Sequence, residues 1–275
     1  MRPFRQVDVF SHLPMLGNPV AVVHDADGLT DEQMRAFARW TNLSETTFLL
    51  APTDPAADYR VRILTPDVEL PFAGHPTLGT AHAWLEAGGV PATDGVVVQE
   101  CAAGLVTVRR GERLAFEAPP LVRSGPVSEE DLDRIVRALR IGRDDVLDSA
   151  WIDNGPGWVG VLLESAEAVL ALEPAWHEFG GMDIGVVGPR DGGDTACEVR
   201  AMCPALGVTE DPVTGSLNAG VGQWLAGGAL PSAYVAAQGT AMGRAGRVHV
   251  SREGDAVWVA GDTVSRIVGE VDLGD

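Results

Sequence analysis

The chain has 275 residues, 45% of them hydrophobic, with 33 glycines and a net charge of −19 from 20 Lys+Arg against 39 Asp+Glu. That composition supplies a core and excludes a disordered or fibrous protein, while the negative excess disfavours nucleic acid and anionic membranes as partners. No apolar run of about 18 residues lacks a charge or a glycine pair, the first thirty residues hold no signal-peptide core, and three cysteines without CxxC spacing fit a reduced, cytoplasmic setting.

In the first half, strands are predicted near 3–10, 18–24, 45–51, 58–65, 95–101, 104–109 and 112–117. A helix begins at Thr30, where Thr30-Asp31-Glu32-Gln33 reads as a capping box. A second begins just after Pro76, and its sequence TLGTAHAWLEA is small or apolar on nearly every side, so it requires burial all round. A Pro/Gly/Ser-containing join at 118–127 precedes an amphipathic helix from Ser128 to Arg140, ended by Gly142. The Gly155-Pro156-Gly157-Trp158-Val159-Gly160 run matches GxGxxG but leads into a strand-like VGVLL, which excludes a nucleotide-binding turn.

The two halves repeat. Val61–Pro66 resembles Val199–Pro204 at a displacement of 138, and Val20–Val23 falls on Val159–Leu162 at 139. Leu78–Gly89 falls on Leu217–Gly228, also at 139, so SLNAGVGQWLA reads as a second buried helix. Gln99 and Gln238, with the hairpins that follow them, complete the correspondence. The expected fold class is therefore α+β, with two similar domains at 1–120 and 121–275, each a barrel-like set of strands around a central helix. The last apolar segment, about 263–272, has no counterpart and is free to pair with the first domain.

A buried helix leaves its first N–H groups without intrahelical partners, and with the helix dipole these form an anion site. The two starts are Phe72-Ala73-Gly74-His75-Pro76-Thr77 and Glu210-Asp211-Pro212-Val213-Thr214-Gly215-Ser216. Gly74 permits close backbone approach, and His75 and Asp211 appear at corresponding edges with side chains able to move protons. Thr77, Thr214 and Ser216 are equally readable as simple helix caps. Glu45, in Asn42-Leu43-Ser44-Glu45-Thr46-Thr47-Phe48, opens an apolar strand where burial would raise its pKa toward the general acid/base range. His75 and His82 share a helical face, but no acidic residue at metal spacing accompanies them.

The segments VDVFSHLPMLGNPVAVV, NLSETTFLL, FAGHPTLGTAHAW and EDPVTGSLNAG, in this order, resemble the phenazine-biosynthesis PhzF-like isomerase family. The resemblance covers nearly the whole chain. It implies a diaminopimelate-epimerase-like fold, a cleft between two domains, no cofactor, and a homodimer. By matching position it makes Glu45 the proton-shuttling acid/base and His75 and Asp211 its polar partners. Gly215 and Ser216 become substrate-carboxylate binders, and Asn18 a further contact. Related epimerases and racemases place a cysteine at each helix start, whereas these positions here read Gly74-His75 and Gly215-Ser216. The expected function is thus a cofactor-independent isomerase moving a proton within a small carboxylate-bearing metabolite. A noncatalytic small-anion binding protein is the alternative, and an acyl-thioester hydrolase a more distant one.

Overall fold

The computed structural model describes residues 1–204 and 209–274. The first half forms β1 (Arg2–Val9), β2 (Asn18–Val23), α1 (Asp31–Thr41), β3 (Glu45–Leu50), β4 (Tyr59–Leu64), β5 (Glu69–Leu70), α2 (Gly74–Glu86), β6 (Val96–Cys101), β7 (Gly104–Arg110) and β8 (Leu114–Glu117). There follow β9 (Arg123–Pro126), α3 (Glu129–Leu139), β10 (Asp148–Asp153), β11 (Trp158–Leu162), α4 (Ala166–Leu170), β12 (Asp183–Pro189) and β13 (Cys197–Met202). The chain ends with β14 (Glu210–Asp211), α5 (Gly215–Leu225), β15 (Ala233–Gln238), β16 (Gly246–Glu253), β17 (Ala256–Gly261) and β18 (Thr263–Val271). Among the described residues no helix is long and apolar enough to cross a membrane.

Two compact units result, one of Met1–Glu117 with Ala260–Asp275 and the other of Ala118–Val259. The sequence reading divided the chain at 120/121. In the first unit β1 and β2 are antiparallel, β2 and β3 parallel, β3 and β4 antiparallel, and β4 and β6 parallel. In the second, β10 and β11, β11 and β12, β12 and β13, and β13 and β15 repeat that sequence of senses. The short strands β5 and β14 pair antiparallel with β4 and β13. Connectivity is exchanged reciprocally at the end of each copy. β18 pairs with β1, and β9, which follows β8 in sequence, pairs with β10.

Each unit encloses one helix. Residues of β1, β2, β3, β6, β8 and β18 pack on α2, and β10, β11 and β16 pack on α5. Apolar and small side chains all round these helices let strands approach from every side. Gly79 of α2 lies so close to β2 that a Cβ there would meet Val20 Cγ1 at 2.4 Å, and a Cβ on Gly220 of α5 would meet the Ile152 carbonyl oxygen of β10 at 2.5 Å. These glycines correspond at a displacement of 141, as do the helix starts Gly74 and Gly215. The helices therefore match two residues out of the 139 register read from sequence. The cause is a longer connection before α5: β13 ends at 202 and β14 starts at 210, against 64 and 69 in the first copy.

Other boundaries also differ from expectation. α2 starts at Gly74, two residues before Pro76, because proline is tolerated in a first turn whose N–H groups have no intrahelical acceptor. α3 ends where Arg140 itself turns left-handed at φ 55°, so Gly142 lies outside the helix. Thr30 closes the expected capping box on α1 with Gln33. The Gly155–Gly160 run is the end of the β10–β11 turn, Gly155–Gly157, followed by the first residues of β11, and Asp153 Oδ1 accepts from the N–H groups of Gly155 and Gly157 at 2.7 Å each.

Candidate active site

Glu45 opens β3 and His75 is the second residue of α2. Glu45 Oε2 lies 3.3 Å from His75 Nε2, with side chains only 14% and 4% exposed. The imidazole's other face meets Asn18, whose Nδ2 is 3.3 Å from His75 Nδ1. Burial pushes the His75 pKa down to about 3, the Pro19 carbonyl opposing it as a hydrogen-bond acceptor. Near neutral pH the contact therefore joins a carboxyl to a neutral imidazole and is not an ion pair. Such a ring has one donor and one acceptor nitrogen. The turn before Asn18 is fixed by Gly17, where a Cβ would strike the Val9 carbonyl oxygen at 2.2 Å. Thr80 Oγ1 donates to Thr47 Oγ1 at 2.9 Å, and Gln99 Nε2 to Thr77 Oγ1 at 3.0 Å, anchoring α2 to β3 and β6.

The helix starts differ from the other helices. Thr30, Ser128 and Ser165 each cap α1, α3 and α4 with a side-chain oxygen. Neither α2 nor α5 has a side-chain cap. Thr77, Thr214 and Ser216 make other bonds, which answers the simple capping interpretation for these residues. An N-terminal turn without such a cap keeps the donor character that suits an anion.

In the second unit a buried relay orders the α5 start. Gln238 Oε1 accepts from the Thr214 N–H at 3.0 Å and from Asn218 Nδ2 at 2.8 Å, so its Nε2 faces the other way and donates to Thr214 Oγ1 at 2.9 Å. The Thr214 hydroxyl, with its oxygen so engaged, gives its proton to Asp211 Oδ2 at 2.5 Å. Ser216, second in α5, accepts from Trp158 Nε1 at its Oγ (3.0 Å) and from Asn154 Nδ2 at its carbonyl (2.8 Å). Gly215 precedes it as the first helical residue.

β14, which carries Asp211, is held by a buried fork. Arg200 donates from Nε and Nη2 to the two oxygens of Glu210 at 2.9 and 2.8 Å, and from Nη1 to the carbonyls of Leu172 and Val169. Arg62 and Glu69 form the same fork in the first unit at 2.8 and 2.7 Å. Neither pair was evident from sequence, since β13–β14 pairing brings the first together and β4–β5 pairing the second.

The correspondence of His75 with Asp211 needs correction. His75 corresponds to Ser216, each second in its helix, whereas Asp211 corresponds to Leu70 on β5. The displacement of 141 governs both pairs. The counterpart of Glu45 is Asp183, 4% exposed at the start of β12. Asp183 lies opposite Trp158 in the parallel β11–β12 pair as Glu45 lies opposite Val20 in β2–β3. The sequence around Asp183, MDIGVV, has little in common with NLSETTF, and only the strand register reveals it.

A family model for phenazine biosynthesis-like proteins, PhzC-PhzF, matches residues 7–269. Antisense-enhancing sequence 1 of Schizosaccharomyces pombe is 36% identical, the alignment covering 97% of each chain. The trans-2,3-dihydro-3-hydroxyanthranilate isomerase of Pseudomonas aeruginosa is 34% identical over 97% of this chain and 94% of its own. A solved PhzF-family protein of Bacillus anthracis superposes with a TM-score of 0.82 at 23% identity, covering 98% of both chains. The fold is thus of the α+β, diaminopimelate-epimerase-like class.

Proposed function

The chain belongs to the phenazine biosynthesis-like PhzC-PhzF family and is an isomerase, and on that premise we propose that it moves a proton within a small cyclic carboxylate of the trans-2,3-dihydro-3-hydroxyanthranilate class, without a cofactor and with Glu45 as the shuttle. The observation that carries this reading is the Glu45–His75 pair, a largely buried carboxyl beside an imidazole that stays neutral. As carboxylate, Glu45 takes a proton from a carbon conjugated with the substrate's unsaturated system. It then returns that proton to a second carbon on the same face. One C–H bond breaks, another forms, a double bond shifts, and no electron or proton is lost. A neutral imidazole can hydrogen-bond Glu45 in either charge state, as donor to the carboxylate or acceptor from the acid, which suits a group that must be base and then acid.

Negative charge builds on the substrate carboxylate as the first C–H bond breaks. In its own unit the uncapped start of α5 offers N–H donors for such charge, with Gly215 allowing close approach and the Ser216 hydroxyl adding a further donor, and the uncapped start of α2 at Gly74 offers the same device in the other unit. Asn18 orients His75, and Asp211, ordered through Thr214, is the ionisable group beside the α5 start. Stereoinversion by paired thiols has no support, because neither helix start carries a cysteine: Cys101 belongs to β6, Cys197 to β13, and Cys203 follows β13.

The test is exchange in deuterated water. Trans-2,3-dihydro-3-hydroxyanthranilate and a panel of cyclic and amino-hydroxy carboxylates are incubated with the protein and followed by NMR. Isomerisation, or deuterium entering at carbon, is the expected result for at least one of them. Tight binding with no exchange across the panel would replace this reading with that of an anion-binding protein.

A further inference from the structure

We infer that Trp158 is a positioning residue that locks the Ser216 hydroxyl as a hydrogen-bond donor and so makes the α5 start selective for carboxylates over carboxamides. This rests on the reading of Ser216 as a substrate-carboxylate binder. An indole N–H is a donor and has no acceptor capacity. Trp158 is 1% exposed, and among the described residues its Nε1 has a single acceptor, Ser216 Oγ at 3.0 Å. A hydroxyl has one proton and two lone pairs. With one lone pair held by the indole N–H, the proton cannot turn toward Trp158 and is left to be donated elsewhere. The donor direction is therefore set by the protein before any ligand arrives.

A comparable contact occurs in the other copy, from a strand position two residues earlier in the register. Asn18 opens β2 and touches His75, and Trp158 opens β11 and touches Ser216, so the second residue of each central helix meets a side-chain nitrogen from the strand beside it. Asn18 carries both a donor and an acceptor and can turn either toward its partner, whereas an indole cannot. The Asn154 bond to the Ser216 carbonyl holds the first turn of α5 in place, so the hydroxyl's position as well as its polarity is fixed. A carboxylate oxygen accepts only. A carboxamide has only its oxygen to offer these donors, since its nitrogen donates and finds a single remaining lone pair on the hydroxyl among the helix N–H groups. Once Trp158 no longer donates, both lone pairs are open and the proton is free to turn toward the indole side, which weakens the bias toward donation.

The experiment compares binding of 3-hydroxyanthranilate, the aromatic analogue of the dihydro acid, with that of its carboxamide by titration calorimetry. The proteins are the parent, Trp158→Phe, Ser216→Ala and the double variant. Phenylalanine keeps an aromatic ring in the site and removes the N–H, and thermal melting checks that each variant folds. We expect the parent to prefer the acid, and both single variants to lower that preference about tenfold, the scale of one hydrogen bond to a charged group. Trp158→Phe should add nothing in the Ser216→Ala background. An equal effect of Trp158→Phe in both backgrounds marks a packing role and overturns the inference, as does an unchanged preference in Trp158→Phe when Ser216→Ala lowers it. If Ser216→Ala itself changes nothing, or the parent does not bind the acid, the carboxylate reading of Ser216 fails instead and takes the inference with it. A folded Trp158→Phe also permits an independent check on the donor. The indole N–H resonance that it identifies by loss should shift in Ser216→Ala, and an unmoved resonance contradicts the hydrogen bond.

Discussion

Acidification should destabilise the folded chain through His75. Burial holds its pKa at about 3, against 6.5 for an ordinary imidazole, so between these values the unfolded chain takes up a proton that the folded chain refuses. The folded value is the depressed one. The stability it confers is therefore fully present above pH 6.5 and is lost as pH falls from there toward 3. At pH 5 the unfolded imidazole is about 1.5 units past its pKa, which amounts to a loss of about 2 kcal/mol relative to pH 7. That is a large share of the 5–15 kcal/mol typical of a domain. The assay is urea unfolding of the parent and His75→Asn at pH 7 and pH 5, reading the difference between the two pH dependences so that every other titrating group cancels. The parent should lose about 2 kcal/mol more than the variant. His24, pushed down to about 4 by burial and then by Arg5, should behave alike in His24→Asn and serves as a control. Equal losses in parent and His75→Asn would refute the buried neutral imidazole.

Other substitutions test the supports of the site. Arg200→Ala leaves Glu210 buried without its fork and should cost about 3–5 kcal/mol in urea unfolding, whereas Arg62→Ala, at a pair about one quarter exposed, should cost less than about 1 kcal/mol. Similar losses from both would contradict the difference in burial. Gly220→Ala drives a methyl against the Ile152 carbonyl and should lower stability by about 1–3 kcal/mol, read as a drop in melting temperature that Gly269→Ala, with open space around it and no positive φ, does not share. Thr214→Val cuts the Gln238–Thr214–Asp211 relay and should slow turnover, with Thr214→Ser restoring most of it. No rescue by serine would mean that shape and not the hydroxyl matters there.

Much of the architecture was legible because local chemistry and tertiary structure agree. Thr30 and Gln33 close the box their spacing announces, and the smooth faces of α2 and α5 are explained by strands packed around them. The repeat was visible in strands such as Val61–Pro66 and Val199–Pro204, whose apolar alternation survives drift. Its register in the helices was not. Three added residues before β14 and two fewer between α5 and β15 nearly cancel, so the sequence offers 139 where the helices obey 141. At 139 His75 would face Thr214, at 141 it faces Ser216, and the matching of His75 with Asp211, 136 apart, follows neither register. Glu45, His75 and Asn18 come together as their quoted motifs implied, but Asp183, the Arg200–Glu210 fork and the Trp158–Ser216 bond depend on strand pairing and a donor's direction, which no spacing in the chain encodes.

The most direct measurement concerns Glu45. Parent, Glu45→Gln and Glu45→Asp are given an exchanging carboxylate in deuterated water, with binding measured separately for each. The account predicts that the glutamine variant still binds but loses carbon–deuterium exchange by a factor of about 100 or more, with aspartate recovering part of the rate. Exchange at the parent rate in Glu45→Gln, with binding intact, would show that another group moves the proton.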